Sequence, residues 1–186
     1  MQILRQIKYE PAKVVGGYTD RILRVDLSTQ EITIQALPQD FKNKYIGGRG
    51  YALKLIWDGT TRSTRYDSPE NILVMASGPL GNEPGFPGTG KFIVGTISPL
   101  TDPFLDSNVG GHFAPLLKLE GFDALAVTGI STKDVVILVD GDAGTISIAA
   151  APSYGKELDD GSLSVGERLL REVNGGGHSD SVAPLT

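Results

Sequence analysis

The chain has 186 residues, and its 17 lysines and arginines against 22 acids leave a net charge of −5. That length suits one domain, or one and a small part of another, and the mild acid excess argues against a nucleic-acid footprint. With no cysteine and two histidines, the chain has no disulfide, zinc thiolate, iron–sulfur ligand or thiol nucleophile, and it cannot build a multi-histidine metal site.

No stretch reaches the roughly 18 uninterrupted apolar residues of a membrane helix. The start, Met1 to Glu10, is too short and too charged for a signal peptide. The default expectation is a soluble cytoplasmic protein without membrane or nucleic-acid partners.

Residues 1–16 read as an N-terminal extension closed by Gly16-Gly17. Leu23, Val25 and Leu27, then Ile32 and Ile34, alternate with polar residues, which predicts an antiparallel hairpin. Pro38 opens a short helix to about Ile46. Gly47-Gly-Arg-Gly50 interrupts it, and Tyr51 to Trp57 resumes helically. Ile72 to Ala76 is a continuous apolar run, the mark of a strand buried on both faces.

The next stretch, 78–90, holds five glycines in thirteen residues and excludes helix and ladder. Strand pattern returns from Lys91 to Ile97. Asn108 to Leu119 reads as a helix capped by Asn108, with Pro115 in its early turns. Ala124 to Thr128 is a short buried strand. Val135–Val139 and Thr145–Ile148 flank a turn-forming Asp140-Gly-Asp-Ala-Gly144 and predict a second hairpin. A last helix runs from about Leu163 to Val173, with Ser164 and Glu167 at capping-box spacing, and Asn174-Gly175 ends it. A glycine-rich loop to Ser181 follows, and Val182 opens a further segment. The sum is an α+β pattern.

Three places suit chemistry. Glycines in 78–90 let backbone amides converge on an anion, and Lys91 directly after supplies a point charge. The competing reading is a plain glycine-rich connection. A P-loop is disfavoured, because Phe92 replaces the magnesium-binding hydroxyl and a strand follows instead of a helix. Asn108-Val-Gly-Gly-His112 is either an anion-attracting helix start or an ordinary cap. Arg49, between glycines, either faces an anion or is a surface arginine at a helix break. No nucleophile–base–orienter set can be assembled.

At these loops the chain resembles the N-terminal domain of the aldehyde ferredoxin oxidoreductase family. The landmarks, in family order, are Arg24-Val-Asp-Leu-Ser-Thr29, Ile46-Gly-Gly-Arg-Gly50, Ser68-Pro-Glu-Asn71, Ala76-Ser-Gly-Pro-Leu80, Ser98-Pro-Leu100, Asn108-Val-Gly-Gly-His-Phe113 and Leu119-Glu-Gly-Phe-Asp123. The resemblance implies stacked mixed β-sheets with peripheral helices over residues 17–186, cut short at the C-terminal end.

It further implies a base for a tungsten or molybdenum bis-pyranopterin whose phosphates are bridged by magnesium. The family oxidises aldehydes to carboxylic acids and passes electrons through a [4Fe–4S] cluster to ferredoxin. The cluster's cysteines belong to further domains or subunits, so this chain alone would be inactive and prone to self-association. Lys91 stands where the family places a phosphate-contacting arginine, which keeps the charge but loses the planar fork. Asn108 stands where a backbone carbonyl reaches the magnesium. Val109, Gly110 and Gly111 would line the pterin. The alternative within the family is a split or remnant subunit without metal. An unrelated phosphate-binding domain is the reading outside it.

Overall fold

The computed structural model describes residues 1–151 and 162–173. Its elements in chain order are β1 (Ile3–Lys8), β2 (Arg21–Asp26), β3 (Glu31–Ala36), α1 (Gln39–Tyr45), α2 (Arg49–Gly59), β4 (Leu73–Ala76), β5 (Phe92–Ile97), β6 (Phe104–Val109), α3 (Phe113–Leu119), β7 (Ala124–Thr128), β8 (Val135–Asp140), β9 (Thr145–Ala150) and α4 (Ser162–Val173). The predicted glycine-rich loop before Ser181 and the segment from Val182 lie outside the described residues.

Six strands form one mixed sheet in the order β3-β2-β7-β4-β5-β6, and three form a second, β1-β9-β8. Only β2 and β7 pair in parallel in the large sheet. Its central strands are apolar on both faces because both faces are covered. Ile22, Val74, Ala76, Ala124 and Ala126 face Tyr51, Ala52, Leu55 and Ile56 of α2. Leu23, Val25, Met75 and Leu125 face the other way, into a core shared with Ile146 and Ile148 of β9 and Leu117 of α3. The layers are therefore helix, large sheet, small sheet, which is the α+β pattern read from the residues in the stacked form that the resemblance implies.

Three elements differ from expectation. The presumed extension contains β1, which pairs with β9 from Ile3↔Ala149 to Lys8↔Thr145 across a bulge. Its partner lies far along the chain, so nothing local announces it. The helix expected from Asn108 begins only at Phe113. Pro115 explains the late start. In a helix from Asn108 its missing N–H would break an interior bond, whereas in the first turn after His112 no bond is needed there. Asn108 and Val109 instead end β6, whose polar Asp106-Ser107-Asn108 run suits a sheet edge. Finally, α4 spans Ser162–Val173, within one residue of the expected start, and holds Ser164 inside its first turn where the capping-box spacing expected a cap.

The two sheets are tied by Glu120, just after α3. Its carboxylate accepts a 2.9 Å hydrogen bond from the Tyr9 hydroxyl and lies against the Gly141 backbone in the β8–β9 turn. Burial raises the Glu120 carboxyl above its ordinary 4.5, although these two contacts pull it down. The folded chain thus holds this proton more tightly than the unfolded one. Stability from this group is intact below about pH 4.5 and declines as pH rises through the folded value. Glu120→Gln is expected to flatten that part of a profile of melting temperature against pH. An unchanged slope would show that Glu120 does not cause it.

Candidate functional site

The glycine-rich stretch forms a loop of successive turns between β4 and β5. The amide of Gly81 donates to the Gly78 carbonyl, that of Glu83 to Leu80, and that of Phe86 to Glu83. Thr89 closes the loop through its hydroxyl on the Glu83 carbonyl, 3.1 Å. Glu83 also accepts from the Gly85 amide, so this acid is spent on the loop itself.

The loop returns to the sheet beside the second glycine bend. Phe92 pairs with Val109, and Ile93 with Asn108, so Lys91 falls across from Gly110. A Cβ added to Gly110 would lie 4.0 Å from the Lys91 ammonium. A Cβ on Gly90 would meet the Gly111 carbonyl oxygen at 2.6 Å, so the two bends touch backbone to backbone. Gly111, at φ +104, has nothing within 4 Å of its missing Cβ and presents an open face. Lys91, Asn108, Gly110 and Gly111 are exposed, Val109 is half-buried, and Lys91 has no ion-pair partner among the described residues.

The structure thus places Lys91, Asn108, Val109, Gly110 and Gly111, the five positions at which the resemblance implies cofactor contacts, side by side. It gives them a strand-end setting in place of the helix N-terminus. The chemistry this permits is anion capture by a free ammonium next to bare backbone. Among the described residues no group of three or more His, Asp or Glu side chains could hold a metal. A cation here would rely on backbone carbonyls and on the ligand's own oxygens.

A third glycine bend joins them. Gly47-Gly48 leads into α2, and the Gly48 amide donates to the Ser77 carbonyl at 3.0 Å. A Cβ on Gly47 would lie 2.8 Å from the Gly78 Cα, and one on Gly48 would lie 3.6 Å from Ile93. Arg49 then reaches Asp106 on β6, with Nε to Oδ2 at 2.6 Å. Asp106 and Asn108 share a strand face, so Arg49 adds a second cation, partly neutralised, on the side of Asn108. The Gly-Gly-Arg-Gly pattern marked Arg49, but its place beside the other bends comes from the β5–β6 pairing.

Sequence reasoning missed the buried charges beneath. The Lys118 ammonium and the Asp123 carboxylate are fully buried and 2.9 Å apart. The ammonium also donates to the carbonyls of Gly17 at 2.9 Å and Gly78 at 3.1 Å. Asp123 accepts from the amides of Thr19 and Asp20. Burial, then the Asp123 charge, pushes the Tyr51 phenol above its ordinary value. Its hydroxyl and that of Thr19 have no protein partner among the described residues. A signal existed in the sequence: Lys118 stands four residues after Ala114, on the buried stripe of α3.

Residues 22–182 match the family described as aldehyde ferredoxin oxidoreductase, N-terminal domain. The tungsten-containing aldehyde ferredoxin oxidoreductase of Pyrococcus horikoshii is 34% identical over 162 residues, 87% of this chain and 26% of that protein. Its counterpart in Pyrococcus furiosus is 37% identical over 66% of this chain and 20% of that protein. A WOR-like subunit of an aliphatic sulfonate oxidoreductase from the same organism is 27% identical over 85% of this chain and 24% of its own length. Among solved structures, the BamBC active-site complex of benzoyl-coenzyme A reductase with 1,5-dienoyl-CoA aligns with a TM-score of 0.76 at 30% identity. That alignment covers 90% of this chain and 24% of the other. The chain therefore spans between a fifth and about a quarter of each relative it matches.

Proposed function

Because the chain belongs to the aldehyde ferredoxin oxidoreductase family, as its N-terminal domain, we propose that Lys91, Asn108, Val109, Gly110 and Gly111 cradle the phosphate end of a tungsten or molybdenum bis-pyranopterin. The observation that carries the reading is the contact of two glycine bends at a lysine that has no ion-pair partner among the described residues. Gly90 lies against Gly111, and the Lys91 ammonium lies beside Gly110. The open backbone of Gly110 and Gly111 beside the ammonium admits a large anion, and side chains at those two positions would fill the space.

In this reading Lys91 binds a phosphate oxygen, Val109 to Gly111 line the ring system, and the Asn108 carbonyl contributes to a bridging magnesium. When bound in the longer enzyme, the metal centre supplies two-electron oxidation of an aldehyde to a carboxylic acid, with electrons leaving through a [4Fe–4S] cluster to ferredoxin. The tungsten in the names of the relatives supports the metal. The names of the sulfonate and benzoyl-CoA relatives support a substrate class that varies among enzymes carrying such a domain.

Inorganic pyrophosphate is a direct probe of the cradle. Titration calorimetry on the chain is expected to show binding that weakens with salt. Lys91→Ala should weaken it about tenfold, the loss of one charge-assisted contact. Lys91→Arg should bind at least as tightly, because its fork can take two oxygens. Equal affinity in the alanine variant would remove Lys91 from the site.

The reading also assigns other domains or subunits of the enzyme to the apolar residues left bare, and self-association when they are absent. Trp57 on α2 is 81% exposed and Leu100 is 90% exposed. Trp57 is the only tryptophan. Its emission should be that of a solvated indole in dilute protein and shift to the blue as concentration rises. An invariant spectrum together with a constant hydrodynamic size would argue against association through α2.

A further inference from the structure

We propose that Lys118 is a positioning residue for the anion cradle, a buried clamp that fixes the two glycine bends relative to one another through α3. The inference rests on the cradle reading for its consequence and on independent contacts for its mechanics. Rigid helix begins where the second bend ends: the Leu116 amide already donates to the His112 carbonyl, one residue after Gly111. At that same end Phe113 packs on Phe92, with ring centroids 5.5 Å apart, directly after Lys91.

At the other end of α3, Lys118 holds the Gly78 carbonyl, the root of the first bend, and the Gly17 carbonyl beside it. The Gly78 carbonyl also receives the Gly81 amide that starts the loop's first turn. One short helix therefore braces the loop where it leaves β4 and where it rejoins at β5. Asp123 neutralises the ammonium from the start of β7, so the clamp is anchored in the sheet. No part of this device touches the ligand. Its role is to hold the spacing between backbone groups that do.

The test is the double variant Lys118→Met with Asp123→Asn, which removes both charges together and avoids stranding one of them. In the folded variant, ladder amides of β4, β5 and β7 should keep their protection. The Gly81 amide should exchange at least tenfold faster, and pyrophosphate affinity should fall at least fivefold. The chain has no cysteine, so Lys118→Cys can be aminoethylated while unfolded and refolded. That rebuilds the ammonium with a sulfur in the stem, and both readouts should return to within twofold of the parent.

Should the double variant not fold, native-state exchange of the parent chain in low denaturant decides. The amides of Gly81, Leu116 and Glu120 should then merge into one opening. Unchanged Gly81 exchange in a folded variant, or separate openings in the parent, overturns the clamp. Faster exchange with unchanged pyrophosphate affinity overturns its positioning role. Faster exchange in a chain whose parent never binds pyrophosphate leaves the clamp standing and removes the phosphate reading.

Discussion

Asp123→Ala is expected to lower stability by about 3–5 kcal/mol, the cost of leaving a buried charge without its partner. Lys118 has no exposed surface, and its ammonium would be left with two backbone carbonyls and the face of the Tyr18 ring, 5.8 Å from its centroid. The amides of Thr19 and Asp20 would lose their acceptor in the same step. In a chain of this size the melting temperature should drop by about 6–20 °C. The check is a denaturant titration in which the midpoint falls while the slope stays constant. A loss below about 1 kcal/mol would mean that water enters and solvates the ammonium, and the pocket would not be closed as described. The Lys118→Met, Asp123→Asn pair should lose less than the single alanine, because neither charge is then left alone.

Gly17→Ala should be nearly as damaging, for a reason of space and not of charge. Gly17 has φ +85, and a Cβ there would sit 2.2 Å from the Pro79 carbonyl oxygen and 2.9 Å from its carbon. Both the left-handed conformation and the collision with backbone must be relieved, together about 3 kcal/mol. Its neighbour is the control. Gly16 has φ +58 with nothing within 4 Å of its Cβ position, so Gly16→Ala should cost only the conformational share, about 1 kcal/mol. Thermal unfolding of the two variants side by side separates these terms, and similar losses in both would contradict the close approach of Gly17 to Pro79. Because Pro79 follows Gly78, Gly17→Ala should also weaken pyrophosphate binding, whereas Gly16→Ala should not.

What could be read in advance follows from the range of each signal. The β2–β3 and β8–β9 hairpins are local, and alternation with turn residues is enough to find them. β4 and β7 declare themselves as apolar runs because both faces of the large sheet are covered. β1 carries a weak pattern, and its partner β9 is more than a hundred residues away. The Asn108 region misled because an edge strand tolerates polar residues and a glycine pair mimics a helix start. The later Pro115 held the correction.

Lys91, Asn108, Gly110 and Gly111 were legible as candidates because glycine-dense bends bare backbone amides beside a cation, and Val109 came in through the family resemblance. Their common location was not, since it depends on the register of β5 against β6. The buried pair was hidden for the opposite reason. Lys118 and Asp123 look like surface residues until the positions of Ala114 and Leu117 put that side of α3 in the core.

The most direct measurement of the cradle is a ¹H–¹⁵N correlation titration of the chain with pyrophosphate. Two separate segments, Gly88 to Phe92 and Asn108 to Gly111, should shift together along one binding curve. Amides of the β8–β9 turn, on the other sheet, should stay in place. Shifts confined to one segment, or centred on other lysines, would contradict a site built where the two bends meet.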